Sequence, residues 1–519
     1  MPIVVDPKVK VVSYGPEFRF PNGQIMTPDE FVYAAANITY KDIGALQEFM
    51  GLRQEETGLA EKVQNSLIKV AGAGHASMAT TPGLWIFLEG NCSKLVDSIF
   101  TGARHGSSLM PSGRRVPISV DQIVVPKGIS EIGGEAEKLY LETSERNIRL
   151  YEELQEKGVP KEEASKIVQY GHRGGGFMFM PLETFIYFSR LSEEEGRAFP
   201  REGREIISQI ENQMQEMGMN TTYQARKSAP RTSSVNPNIF HFRRNLAQEV
   251  IESGMFDSDP ILISLTHRES YERDSRIRRY LERRKRLFSS QEGIKENWGS
   301  LLTELDQIVS DYNNSVSVVT AVPTPWRVWG EVKRHRTLPQ TVESVYNAVQ
   351  RAWDGMGYTP HIKWEHVVSL PGPVRKNEEI HSKWTNAFCD SVKTYQRLLE
   401  MGVQESDAIM VVPRGIKLGV VKNFDLYNLT LGYMSLRLCE TAEAEMRKIT
   451  EQERRLVEKS GLPQEIKDLM APKCSHTGFC PELSFAKSCN RILPFVGSYN
   501  EQFHNEIQES RREGIKQRL

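Results

Sequence analysis

The chain has 519 residues, 39% of them hydrophobic and 26% charged, so it is globular in composition and too long for one compact core. Its 66 Lys and Arg nearly balance 67 Asp and Glu, which gives no global pull toward nucleic acid or an anionic membrane. No apolar run approaches the roughly 18 residues needed to cross a bilayer.

The opening MPIVVDPKV has no basic segment followed by an apolar stretch, so no signal peptide is expected. Six cysteines in such a length do not form a disulfide framework, and a reducing cytoplasm is the expected setting. LWIFLEG, Leu84 to Gly90, reads as a strand, and so does ISVDQIVV, Ile118 to Val125. Between them lies ARHGSSLMPSGRR, Ala103 to Arg115, with an Arg-His pair and a serine eight residues after Arg104. YEELQEKGVPKEEASKIV, from Tyr151, reads as a helix end, a Gly-Val turn and a new helical start. FSRL, Phe188 to Leu191, follows, and GREIISQIENQMQEMG, Gly203 to Gly218, has helical periodicity.

The next stretch, NTTYQARKSAPRTSSVNPN from Asn220 to Asn238, is polar and weakly periodic, as a linker is. DSRIRRYLERRKRLF, Asp274 to Phe288, reads as a charged helix with a solvated face; acidic residues interspersed in it argue against nucleic acid. SVSVVTAV, Ser315 to Val322, is rich in β-branched residues and reads as a strand. VPTPWRVWGEV and KRHRTLPQTVES, ending at Ser344, then repeat the order Arg-His followed by serine. YQRLLEMGVQESDAIMVV, from Tyr395, matches the Tyr151 segment at seven of 18 positions with one offset of 244 residues (395 less 151). SLRL, Ser435 to Leu438, opens a helical stretch expected to run unbroken from Tyr433 to Lys459.

The preserved order implies two homologous halves in an α+β fold. The expected division is 1–219, a linker 220–245, a second half 246–459 and a tail 460–519. In the tail, Cys474, His476, Cys480 and Cys489 are residue types that bind zinc, although their spacing fits no standard paired knuckle; a structural zinc is one expectation, buried cysteines the other. The five tryptophans from Trp326 to Trp384 are expected in the core, with Trp326 or Trp329 also suited to ring stacking.

Arginine offers a planar fork for phosphate or carboxylate oxygens, and histidine can donate, accept or change charge near neutrality. Arg334-His335-Arg336 therefore suits a grip on an extended anion, though a bare tripeptide of this kind is more often a basic helix end. RHR followed by seven residues and Ser344 resembles the signature of flavin-dependent thymidylate synthases. Gly74-His75-Ala76-Ser77 is similar to that family's early His motif, and the Gly-Val turns and Arg437 stand in the family's order.

The resemblance implies two family-like halves, each mixing helices with an antiparallel-type sheet. It implies reductive methylation of dUMP to dTMP, with FAD as cofactor and NADPH and methylenetetrahydrofolate as co-substrates. It places Arg334, His335, Arg336, His75, Arg104 and His105 at the cofactor, Ser112, Arg114 and Gln340 at the substrate, and Ser344 and Arg437 in the catalytic set. Since such enzymes are homotetramers with shared sites, a duplicated chain would mimic the tetramer as a homodimer. The sequence departs from the pattern in three places, the first being Arg104-His105-Gly106 in place of RHR, with the following serine two residues nearer. Ser344 is followed by Val345 and Tyr346 where Ser-x-Arg is usual, and the family's Ala-Arg is Ala164-Ser165 and Ala408-Ile409. A flavin enzyme acting on another pyrimidine, or a scaffold that kept the fold without the reaction, are the competing expectations.

Overall fold

The computed structural model describes residues 2–40, 44–52, 58–103, 105–112, 116–229, 236–253, 259–356, 364–480, 489 and 501–518. In the first repeat the strands are β1 (Asp6–Gly15), β2 (Gly83–Asn91), β3 (Ser107–Leu109) and β4 (Gly176–Pro181). Its main helices are α1 (Pro28–Ile38), α2 (Leu59–Gly72), α3 (Leu95–Phe100), α4 (Gly134–Glu156), α5 (Leu182–Glu194), α6 (Arg201–Met214) and α7 (Asn220–Ser228). In the second repeat the strands are β5 (Ile261–His267), β6 (Val316–Pro325), β7 (Gln340–Val342) and β8 (Lys417–Phe424). The main helices there are α8 (Leu246–Glu252), α9 (Tyr271–Leu287), α10 (Gln291–Tyr312), α11 (Trp326–Val332), α12 (Val345–Gly355), α13 (Glu378–Glu400), α14 (Leu426–Thr430), α15 (Tyr433–Arg437) and α16 (Ala444–Glu458), and α17 (Lys473–Thr477) follows in the tail.

The duplication is visible in the topology. One antiparallel sheet runs β1-β2-β4-β3 and the other β5-β6-β8-β7, so each strand occupies the same place in its sheet. Helices α4 and α13 have the same length, and both ends are displaced by 244 residues (378 less 134, 400 less 156). In β2 the period-two pattern buries Leu84, Ile86 and Leu88 and turns Trp85, Phe87 and Glu89 outward. The capping box of Thr27 and Glu30, with Pro28 at the first helical position, fixes the start of α1.

The chain forms two compact units. The first holds residues 1–243, 325–336 and 344–417; the second holds 244–324, 337–343 and 418–519. Each unit therefore draws on more than one stretch of the chain. Within the first unit, α4 and α13 pack with equivalent positions facing each other. Asn147 Nδ2 donates to Ser391 Oγ at 2.9 Å, and Arg146 pairs with Asp390 at 3.1 Å. Gly171 N donates to Met410 O at 3.2 Å and Gly415 N to Lys166 O at 2.7 Å, each bond the mate of the other under the 244-residue offset. The two repeats thus meet there around a pseudo-two-fold axis.

Three elements differ from the sequence expectation. Ile118 to Val125 is not a strand throughout: a 3₁₀ turn covers Val120–Gln122, and only Val124–Val125 pairs, in parallel, with Ile3–Val4. Its partner is two residues long, which leaves the rest of the alternation without a ladder. The long helix expected over Tyr433–Lys459 is broken after Arg437 and restarts at Ala444, where Glu445 in the new first turn complements the helix dipole. Helix α7 occupies the start of the segment read as a linker, with Tyr223 and Arg226 buried.

Candidate functional site

Helix α11 begins behind Pro325, which cannot continue a ladder as a donor and has φ preset for a helix entry. Trp326 and Trp329 are fully buried. The Trp326 indole donates to Ser98 Oγ at 3.0 Å and packs on Tyr170 with ring centroids 4.3 Å apart. These rings are core, so neither is available for stacking on a ligand. Their burial anchors the helix whose C-terminal end carries the basic motif.

Lys333, the residue before Arg334, is buried at that end. Its ammonium lies 5.1 Å from the centre of the Trp329 ring and donates to the Asp97 carbonyl oxygen. Lys94 Nζ stands 2.7 Å from the Asp97 carboxylate. Burial pushes the Asp97 carboxyl up, but Lys94 and Lys333 outweigh it and hold the group below its ordinary range. Burial pushes Lys333 down to about 7; Asp97 opposes the shift, while Arg334 and Lys94 reinforce it. Lys94 is also lowered, first by burial and against the pull of Asp97.

Above this buried set, Arg334 and Arg336 are exposed and His335 is half-buried. Arg336 Nε donates to the Ala103 carbonyl at 3.2 Å. Neither arginine forms a salt bridge with a carboxylate among the described residues, so both retain donors for an anion. Ser344 stands at the N-cap of α12, 3% exposed, with a hydroxyl that finds no partner and makes no cap bond. A buried orphan hydroxyl at the start of an 11-residue helix is suited to an anionic oxygen. Tyr346, where the family pattern has arginine, is buried and donates to the Ala198 carbonyl at 2.5 Å.

The flanking elements settle how the two basic motifs correspond. Helices α3 and α11 end 232 residues apart (332 less 100), so Gly102-Ala103-Arg104 stands opposite Arg334-His335-Arg336. Arg104 then matches Arg336, and the interval to the serine is eight residues in both repeats. Arg104 and Arg114 themselves lie outside the described residues. His105 is exposed, and its carbonyl accepts from Thr184 Oγ1 at 2.8 Å. Ser112 is half-buried, with its carbonyl bonded to Val116 N. His75 is exposed in the turn after α2.

Gln340 and Arg437 belong to the second unit. Gln340 pairs in register with Lys422 of β8, and Arg437 closes α15. Lys422 is fully buried with Glu453 at 2.7 Å, and Tyr433 accepts from it at 3.0 Å. The expected zinc set is not assembled: among the described residues no three His, Cys, Asp or Glu side chains are placed to hold a metal. His476 is instead buried beside the guanidinium of Arg284, and burial with that charge pushes it down to about 3. A cation adjacent to the ring is a poor neighbour for zinc. In the Arg-rich helix, Arg276, Arg278 and Arg283 pair with Asp311, Glu465 and Glu304 of the same unit.

Lys94, Asp97 and Lys333 were not singled out by the sequence reading. Lys333 adjoins the motif, and Lys94 and Asp97 have helical i,i+3 spacing, but their pairing joins residues 236 apart.

The model of the thymidylate synthase complementing protein family matches residues 24–217 and again 264–462. Flavin-dependent thymidylate synthases of Pyrococcus abyssi and Pyrococcus furiosus are 27% and 25% identical over 123 residues, 23% of this chain and 49% of each relative. The chain thus spans about half the length of the curated relatives it matches. Among solved structures, a UMP/dUMP methylase from Streptomyces cacaoi is 13% identical with a TM-score of 0.32, covering 45% of this chain and 100% of that one. With both repeats matched by one family model, the chain belongs to the thymidylate synthase complementing protein family.

Proposed function

We propose that the protein is a flavin-dependent thymidylate synthase that converts dUMP to dTMP, with FAD as cofactor and NADPH and methylenetetrahydrofolate as co-substrates. The observation that carries this reading is the pair of arginines without carboxylate partners, Arg334 and Arg336, in the same unit as the orphan hydroxyl of Ser344. Such donors fit the phosphate oxygens of a nucleotide or dinucleotide. The bound flavin supplies the hydride chemistry, and the chain supplies orientation and charge.

In this reading Arg334, His335, Arg336, His75, Arg104 and His105 hold the cofactor. By the family's pattern Ser112, Arg114 and Gln340 are assigned to the substrate, and Ser344 and Arg437 to the catalytic set. The division into repeats at 1–219 and 246–459, a homodimer and a cytoplasmic location belong to the same proposal. Buried Lys333 and Asp97 fix the start of the motif, so that its arginines need no reordering when an anion arrives.

One feature favours a second pyrimidine substrate over dUMP. Ser165 and Ile409, at the family's Ala-Arg position, are both fully buried and neither carries charge. Each missing arginine removes a charge-assisted bond worth roughly 1.5–3 kcal/mol. The test begins with the absorbance spectrum of the purified chain. Flavin bands are expected in the wild type and their loss in Arg336→Ala; unchanged flavin occupancy in that variant refutes the assigned grip. Product formation from dUMP against UMP then separates the substrates.

A further inference from the structure

Lys94 reaches two segments of the first unit that lie far apart in the chain. It is buried, with its ammonium 2.7 Å from one oxygen of the Asp97 carboxylate, and it donates to the Pro111 carbonyl oxygen. That carbonyl and the Ser112 nitrogen share one planar peptide group, and the ring of Pro111 fixes its own φ. Holding the oxygen therefore sets the direction in which the chain enters Ser112. On the other side, the main-chain oxygen of Asp97 accepts from Lys333, which the next peptide bond joins to Arg334. The stretch from Lys94 to Asp97 thus grips the Ser112 segment of the first repeat with a side chain and the basic motif of the second with a carbonyl. The two lie close: the charge of Arg334 bears on both Lys94 and Asp97.

A buried ion pair that only supports the fold would look different. Lys94 and Lys333 together set two buried cations against the single carboxylate of Asp97. Surplus buried charge is a poor way to stabilise a core, but beneath a motif that receives an anion it adds attraction. The second repeat shows that the fold does not need charge at these places. Under the 232-residue offset of α3 and α11, Lys94 and Asp97 stand opposite Trp326 and Trp329 (326 less 94, 329 less 97), both fully buried rings. The chain therefore carries this link on one side of its pseudo-symmetry and aromatic packing on the other.

We propose that Lys94 is a positioning residue that couples the Ser112 segment of the first repeat to the Arg334–Arg336 segment of the second, so that the two serve one site. What each segment holds, nucleotide at the first and cofactor at the second, rests on the functional reading above; the coupling rests on the hydrogen bonds. Lys94 is assigned no contact with either ligand. It sets the two segments against each other before a ligand arrives, and a segment released from it has to be ordered at the expense of binding.

The test is hydrogen exchange of the full chain, with FAD and dUMP titrations on the same samples. Val116 N, bonded to the Ser112 carbonyl at 2.9 Å, and His335 N, bonded to the Val332 carbonyl at 3.0 Å, report the two segments. In Lys94→Met both are expected to exchange about 10-fold or more faster, while helices α4 and α13 keep their protection. Affinity for FAD and for dUMP is each expected to fall about 5-fold or more. Lys94→Arg keeps the charge and the donors, and is expected to recover most of both effects. Faster exchange in one segment alone, or an equal rise in α4 and α13, overturns the inference, as do unchanged affinities in a variant whose two segments have loosened. If both segments loosen but even the wild type binds neither FAD nor dUMP, the coupling stands and the functional reading fails. Circular dichroism reports folding; should Lys94→Met not fold, Lys94→Met with Asp97→Asn removes both charges and is expected to show the same exchange pattern. If neither variant folds, Lys94 is a folding residue and the inference is overturned.

Discussion

Replacing Asp97 by asparagine removes the negative charge between two buried lysines while preserving shape. Lys94 and Asp97 are 2.7 Å apart, with side chains 8% and 15% exposed. Coulomb's law at an effective dielectric of about 20 gives roughly 6 kcal/mol of attraction at that distance, before the desolvation cost of the carboxylate. Breaking a buried pair by removing one partner costs about 3–5 kcal/mol, because the other charge is left uncompensated. Asparagine keeps an acceptor, and Lys94 keeps its bond to the Pro111 carbonyl, so the expected loss is about 3 kcal/mol. Denaturant unfolding of wild type, Asp97→Asn, Lys94→Met and the double variant measures the coupling directly. The carboxyl titrates below its ordinary value of 3.8 in the folded chain, so its contribution is complete above that pH and is lost as pH falls through the lower folded value. A loss under about 1 kcal/mol at pH 7, or a gap between wild type and variant that persists under acid, refutes the assignment of Asp97 as the counter-ion.

Lys333 has its folded value pushed down to about 7 from an ordinary 10.5, so between those pH values the unfolded chain binds the extra proton and stability rises with pH. Lys333→Met is expected to flatten that rise by about 2–4 kcal/mol, and parallel stability profiles for the two proteins contradict it. In the second unit, Glu453→Gln strands fully buried Lys422 and is expected to cost about 3 kcal/mol or more. The double variant Lys422→Met, Glu453→Leu is expected to recover most of that loss; equal losses in calorimetry would exclude a buried ion pair as the cause.

How much of this was legible in the sequence depends on how local the signal is. The 244-residue offset between the Tyr151 and Tyr395 segments reappears as the matched helices α4 and α13. Strands β2 and β6 followed from alternation and β-branching, and α6 from its period. Ile118 to Val125 also alternates, yet strand structure requires a partner of equal length, and Ile3–Val4 is short. Arg334 to Arg336 could be located by their charge, but the support under them comes from Asp97 in the other repeat, and no spacing rule reaches across 236 residues. The tail cysteines had suitable chemistry and unsuitable surroundings, because Arg284 is brought beside His476 only by folding.

The pairing of Arg146 with Asp390 has a further consequence. At a true two-fold axis a residue meets its own copy, so an arginine there would face an arginine. Joining two repeats in one chain lifts that restriction, and the axis position now holds opposite charges. The halves have become a lock and its key. Either one paired with itself would set like charges against each other at this position.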